Sequence, residues 1–161
     1  MKLIEPDTGI FIDSGTTAMA LARLVPDCHL AVITAAPNIA LEVAMRKAKP
    51  SVIMLGGTLS RDEIAVSDPE IVRNLENLNI DTAFVAASGY DDKGGFTVGS
   101  RLGALLKRAV VKQARRVVMM LDNSKVGTLL PFTFARPEDV DVLIGDGELP
   151  SKMVKVFPKV L

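Results

Sequence analysis

The sequence has one cysteine, one histidine, one tyrosine and no tryptophan. With Cys28 alone there is no disulfide framework and no cysteine-rich zinc or iron–sulfur site. With His29 alone there is neither a histidine-based metal cage nor a His–Asp relay. Neither sign of charge is in excess, because 19 Lys and Arg stand against 19 Asp and Glu. That excludes a chain that is basic overall, as nucleic-acid binders often are, but leaves room for a local basic patch. No apolar run approaches the ~18 residues of a membrane span, and no signal-peptide core opens the chain. No membrane partner and a cytoplasmic location are therefore expected.

What the chain does contain is enough for one ordinary domain. At 161 residues it falls within the usual single-domain range, and a chain of that size buries roughly 68–70% of its unfolded surface without staples. A composition of 48% hydrophobic and 24% charged residues excludes disorder over most of the length.

Short runs rich in branched residues recur at 9–12 (GIFI), 30–33 (LAVI), 51–55 (SVIML), 82–87 (TAFVAA), 117–121 (VVMML) and 140–144 (VDVLI). Most are apolar throughout rather than alternating, which suits strands covered on both faces of a parallel sheet. Helix-length segments lie between them. Residues 16–25 are stopped by Pro26 and residues 38–48 by Pro50, with Asn38 a suitable N-cap. Residues 68–78 open at Ser67-Asp68-Pro69-Glu70, the pattern of a capping box with proline in the first turn. In the longest helical segment, 100–115, Leu102, Leu105, Leu106, Ala109 and Val110 make one apolar face. Arg101, Arg108, Lys112 and Arg115 gather on another, to be read as a solvated face or as a basic strip for DNA or a partner. Strand–helix alternation at this spacing predicts an α/β fold, a mostly parallel sheet of five to seven strands flanked by helices. Residues 127–138 are expected to form a strand pair or an irregular crossing. The apolar tail 154–161 is a candidate edge strand, because Pro158 is tolerable only at an edge.

In such sheets ligands bind where strand ends lead into helix N-termini, so those residues carry the functional reading. The first strand end is Asp13-Ser14-Gly15-Thr16-Thr17. Glycine permits close approach, hydroxyls supply donors, and a helix N-terminus follows, which suits a phosphate or carboxylate; a plain turn with Thr as N-cap is the alternative. It is neither a Walker loop nor a G-x-G-x-x-G fingerprint. The second end carries Thr34 and Ala35, the third Gly56 and Gly57. The fourth, Ser88-Gly89-Tyr90-Asp91-Asp92-Lys93-Gly94-Gly95, is the most elaborate, and the fifth offers Lys125 as a point charge for a phosphate. Serine or cysteine nucleophilic chemistry has no support, since His29 and Cys28 lack an activating arrangement. A phosphorylation receiver is also excluded, because the third end is a glycine pair. No cofactor, metal or catalytic residue is expected.

Taken in order, these motifs resemble the C-terminal effector-binding domain of DeoR-family bacterial transcriptional regulators. The residues concerned are Asp13 to Thr17 (D-x-G-T-T), Thr34, Gly56-Gly57, Asp81-Thr82-Ala83-Phe84 (D-x-A-F), Gly89-Tyr90-Asp91, Gly95-Phe96-Thr97 (G-x-T), Lys107-Arg108-Ala109 (K-R-A) and the segment from Asp122 to Gly127. The resemblance implies a fold shared with ribose-5-phosphate isomerase, glucosamine-6-phosphate deaminase and coenzyme A transferases. It also implies a phosphorylated sugar or polyol effector and a homo-oligomer, dimer or tetramer. Operator DNA is then a partner only through an N-terminal winged helix-turn-helix, for which the residues ahead of the first strand leave no room in this sequence. The chain is thus expected to be a single effector-binding domain over residues 1–161. Three positions depart from the family pattern: Gly103 stands where a glutamate is common, Ala35 follows Thr34 in place of asparagine, and the usual glycine before the 68–78 helix is absent.

Isomerases of this fold are similar but place a carboxylate base on the helix after the glycine-rich loop. Here Lys107 and Gly103 occupy that region, so a sensor is expected rather than a phosphosugar isomerase or deaminase. An oligomerisation domain with a vestigial pocket is the third reading. In the expected mechanism the effector phosphate rests on Gly15, Thr16 and Thr17 with Lys125 as counter-charge. Sugar hydroxyls then meet Asp13, Asp91 and Lys107.

Overall fold

All six apolar runs pair into one sheet. The computed structural model describes residues 3–47, 50–61, 64–147 and 150–161. Its main strands are β1 (Thr8–Ile12), β2 (Leu30–Thr34), β3 (Ser51–Met54), β6 (Thr82–Ala86), β9 (Val117–Leu121) and β11 (Val142–Gly145). They lie in the order β11-β9-β6-β1-β2-β3, every pair parallel. Strand β1 continues on one side into β2 and β3, and on the other into β6, β9 and β11. The connections therefore reverse direction between β1 and β6, which is the topological switch point of a doubly wound sheet.

Two apolar layers explain why the strands are hydrophobic on both faces. Ile10, Ile12 and Val32 pack toward α1 (Thr16–Leu24) and α2 (Pro37–Ala44). Phe11, Ile33 and Val85 pack the other way, toward α3 (Ile71–Leu75) and α4 (Arg101–Gln113). That second layer also holds a three-stranded sheet in the order β10-β8-β7, formed by β7 (Gly89–Asp91), β8 (Gly95–Val98) and β10 (Phe132–Ala135). Its members are antiparallel. The 127–138 stretch thus supplies a strand to this small sheet. A hairpin of β4 (Thr58–Ser60) and β5 (Ala65–Ser67) follows β3, and α5 (Ser151–Val154) precedes the tail. The tail does lie along the edge at β11, through a single bridge of Val160 to Leu143. Leu143 N–H donates to Lys159 at 2.8 Å, and Leu161 N–H returns to Leu143 at 2.9 Å.

Local chemistry shifted several boundaries. The capping box does not form: Ser67 ends β5, Asp68 accepts from the Glu70 N–H at 2.8 Å, and α3 starts only at Ile71. The carboxylate closes a tight turn there in place of the expected helical first turn. Helix α2 starts at Pro37, with Ala36 and not Asn38 as its N-cap, because proline's fixed φ suits the first helical position. It ends at Ala44, and Ala48, its expected last residue, lies outside the described residues. Ser100 caps α4 by accepting from Gly103 N–H at 2.9 Å. The buried face of α4 is Gly103, Ala104, Leu106 and Val110, so Leu102, Leu105 and Ala109 of the expected stripe sit only at its margins.

The lone tyrosine belongs to the core. Tyr90 is 2% exposed, with its ring 4.9 Å from that of Phe96 and 6.3 Å from that of Phe157. Burial, followed by the nearby Asp92 and Asp91 carboxylates, raises its phenol above the ordinary value. The folded chain therefore holds that proton longer than the unfolded chain, and this contribution to stability is complete below pH about 10 and is lost as pH climbs beyond it. Tyr90→Phe should lose less stability between neutral and strongly alkaline pH than the parent. Urea midpoints measured across that range check this, and parallel declines would remove the assignment.

Candidate functional site

The carboxyl end of β1 carries the motif Asp13-Ser14-Gly15-Thr16-Thr17. Asp13 is 4% exposed, and its backbone N–H still donates to Phe84 of β6 at 3.1 Å. Its carboxylate accepts from the Ser14 N–H at 2.8 Å and the Ala86 N–H at 2.8 Å. It also pairs with the ammonium of Lys107, which reaches across from α4. Lys107 donates in addition to the Ala86 carbonyl at 3.0 Å and lies 5.6 Å from the centre of the Phe134 ring. One buried ion pair thus ties α4 to the two strand ends that flank the switch point.

Above this pair lies a cleft of about 360 Å³. It is lined by Ser14, Gly15, Thr16 and Thr17 from the β1–α1 turn, Ala86 at the end of β6 with Ala87 and Ser88 after it, Val98, Met120, Asp122 and Lys125 beyond β9, and Lys107 from α4. Gly15 is the N-cap of α1, at φ 98°, and no side chain caps the helix. The first-turn N–H groups of α1 therefore keep no helical partner, which makes them ready donors to an anion. None of the ion pairs among the described residues involves Lys125. Asp122 accepts from the Ser124 N–H at 2.7 Å. Those Ser124 bonds, with Lys125 beside them, hold the Asp122 carboxyl below its usual range.

The structure brings Ser14, Gly15, Thr16, Thr17, Lys107 and Lys125 to this one cleft, with Asp13 directly beneath it. The other expected residues lie elsewhere. Thr34 is fully buried and turns its hydroxyl onto the Ala36 N–H at 3.1 Å, with buried Ala35 beside it. Gly56 and Gly57 lead into the β4–β5 hairpin. Gly89 is demanded by packing, since a Cβ there would sit 2.5 Å from the Thr128 carbonyl oxygen. Tyr90 is in the aromatic core, and Asp91 closes its own hairpin by accepting from the Lys93 and Gly94 N–H groups at 2.9 and 3.0 Å. Ser88 and Asp122 line the cleft without having been expected as site residues. Ser88 opens the fourth strand-end motif and Asp122 directly follows β9, so the strand-end rule reaches both.

The family described as DeoR C terminal sensor domain matches residues 1–147. The chain belongs to that family. An uncharacterized HTH-type transcriptional regulator, YulB of Bacillus subtilis, is 31% identical to this sensor domain over 156 residues. That match covers 97% of this chain and 60% of YulB. The HTH-type transcriptional regulator GlpR of Haloferax volcanii is 34% identical over 141 residues, covering 87% of this chain and 54% of GlpR. The L-fucose operon activator of Escherichia coli is 27% identical over 143 residues, 89% of this chain and 58% of the activator. The sensor domain thus spans little more than half the length of these relatives. Among solved structures, ribose 5-phosphate isomerase A of Methanocaldococcus jannaschii aligns with a TM-score of 0.53 at 17% identity, over 78% of this chain and 49% of that one. The eIF2B beta subunit of Chaetomium thermophilum aligns with a TM-score of 0.57 at 15% identity, over 87% of this chain and 44% of that one. Likeness at that level shows the shared fold, and the expected relation to the isomerase fold is met.

Proposed function

We propose that this sensor domain serves a DNA-binding transcriptional regulator, a repressor of sugar or polyol metabolism, and that a phosphorylated sugar or polyol bound in the switch-point cleft alters DNA binding by the whole protein. The observation that carries the reading is the uncapped N-terminus of α1 facing the same cleft as Lys125. Backbone N–H groups and a cation lining one cleft are the chemistry of a phosphate cradle. Operator binding is assigned to a helix-turn-helix of the kind for which YulB and GlpR are named. A homo-oligomer is part of the proposal.

A sensor must bind its ligand more tightly in one state than in another. Moving an equilibrium from 1:99 to 99:1 takes about 5.5 kcal/mol, whereas one charge-assisted hydrogen bond contributes roughly 1.5–3 kcal/mol. Several loops must therefore engage, and the cleft draws on three strand ends.

Catalysis has less support. An aldose–ketose isomerase needs a carboxylate free to take a carbon-bound proton. Asp13 is occupied by two N–H donors and Lys107, and Asp122 by Ser124. A thermal-shift screen against sugar phosphates, polyol phosphates and free sugars tests the reading. A ligand at 100 times its dissociation constant adds about 2.7 kcal/mol, a rise of several degrees for a domain of this size. Absence of any shift would favour an oligomerisation domain with a vestigial pocket. Turnover of a sugar phosphate on the order of 1 per second or faster would make the chain an enzyme and end the proposal.

A further inference from the structure

The two edges of the six-stranded sheet are finished differently. At β11 the chain's own tail supplies backbone partners through Lys159 and Leu161. At β3 nothing does. Leu55 N–H donates back to Thr34 at 2.8 Å, so by strand alternation Ile53 turns its backbone groups toward β2, while Val52 and Met54 turn theirs outward. Among the described residues those outward groups have no backbone partner.

Beyond Pro50, which stands just before it, the strand itself has none of the usual protections. The strand Ser-Val-Ile-Met carries no charge, proline or bulge, the devices that normally keep an edge from pairing. Both of its faces are apolar and open. Ile53 is aligned with Ile33, which is 1% exposed, yet is itself 38% exposed. Met54, on the opposite face, is 45% exposed. The hairpin repeats the pattern. Leu59 is the cross-strand partner of Val66 and so shares its face, but Val66 is 5% exposed and Leu59 54%. The covered core stops short of the sheet's edge on this side.

We propose that the β3 edge is the seam at which two copies of this chain meet, joining their sheets antiparallel. The strand is self-complementary in that arrangement. With Ile53 on the two-fold axis, Val52 of each copy stands opposite Met54 of the other, and the outward N–H and C=O groups of both pair in full. An uncharged strand meets its own copy without placing like charges together. A four-residue seam with Leu59 alongside is smaller than the ~800 Å² per partner of a standard interface, so the dimer is a weak, reversible one.

Sedimentation of the 161-residue chain from ~1 μM to ~1 mM, a span bracketing micromolar dissociation constants, should show a monomer–dimer equilibrium. Ile53→Lys should abolish it, and Leu129→Lys, exposed in the loop between β9 and β10, should leave it intact. Register is tested by cross-linking in a Cys28→Ser background. A non-hydrogen-bonded antiparallel pair has Cα atoms ≈ 4.5 Å apart, within disulfide range. Ile53→Cys should therefore oxidise to a covalent dimer, whereas Met54→Cys, facing Val52, should not. Circular dichroism of each variant establishes that it is folded. A chain that stays monomeric throughout, a dimer that survives Ile53→Lys, or cross-linking at 54 and not at 53 would each overturn the proposal.

Discussion

Asp13→Leu is expected to destabilise the domain by roughly 3–5 kcal/mol, the cost of leaving one member of a buried ion pair without its partner. The side chains of Lys107 and Asp13 are 12% and 4% exposed, so solvent can relieve little of that cost. For a domain of this size each kcal/mol moves the melting temperature by about 2–4 °C, and the loss should be plain in any thermal scan. The two partners are not equivalent. Removing Asp13 strands the ammonium and also leaves the Ser14 and Ala86 N–H groups without an acceptor. Lys107→Met leaves the carboxylate with both of those donors, so it should cost less. The double variant, which buries no lone charge, should be more stable than Asp13→Leu alone. Urea unfolding of the three variants measures the ranking. If both single changes cost less than about 1 kcal/mol, as exposed pairs do, the pair is not the clasp of the two strand ends described above.

Lys125→Ala is the second large effect, and it falls on binding. A charge-assisted hydrogen bond contributes roughly 1.5–3 kcal/mol, so the variant should bind a phosphorylated effector about ten- to a hundred-fold more weakly. Affinity for the corresponding neutral sugar or polyol should hardly change, because that ligand has no charge to lose. Asp122→Asn should act in the opposite sense. Its carboxylate shares the cleft with Lys125 and stays ionised to a lower pH than an ordinary aspartate. Neutralising it relieves repulsion of an incoming phosphate. Calorimetry with a matched phosphorylated and free ligand reads both variants, and equal losses for the two ligands in Lys125→Ala would falsify the counter-charge role.

Much of the architecture was legible because its causes are local or periodic. Continuous apolar runs of about five residues mark strands covered on both faces, and five of the six begin within a residue of their expected starts. The cleft was partly legible for a topological reason. Strand ends of a parallel sheet lie on one side, so Ser14 to Thr17 and Lys125 converge there, and α4 brings Lys107 to them. Thr34, Gly57, Gly89, Tyr90 and Asp91 belong to the same strand-end motifs, yet none reaches the cleft. Thr34 turns its hydroxyl onto the Ala36 N–H, Gly57 leads into the β4–β5 hairpin, and the β7–β8 hairpin folds back over the sheet to make core.

By itself the sequence determined that the chain is an α/β domain, where its strands begin, and which turns carry hydroxyls, glycines and cations, since these follow from side-chain chemistry and spacing. What each turn does is set by long-range packing. Strand order, β11-β9-β6-β1-β2-β3, places β1 beside β6 though some seventy residues separate them, and it is this adjacency that buries Asp13 against Lys107. No local signal carries it, because the pairing of distant segments is settled by the packing of the whole sheet between its two apolar layers.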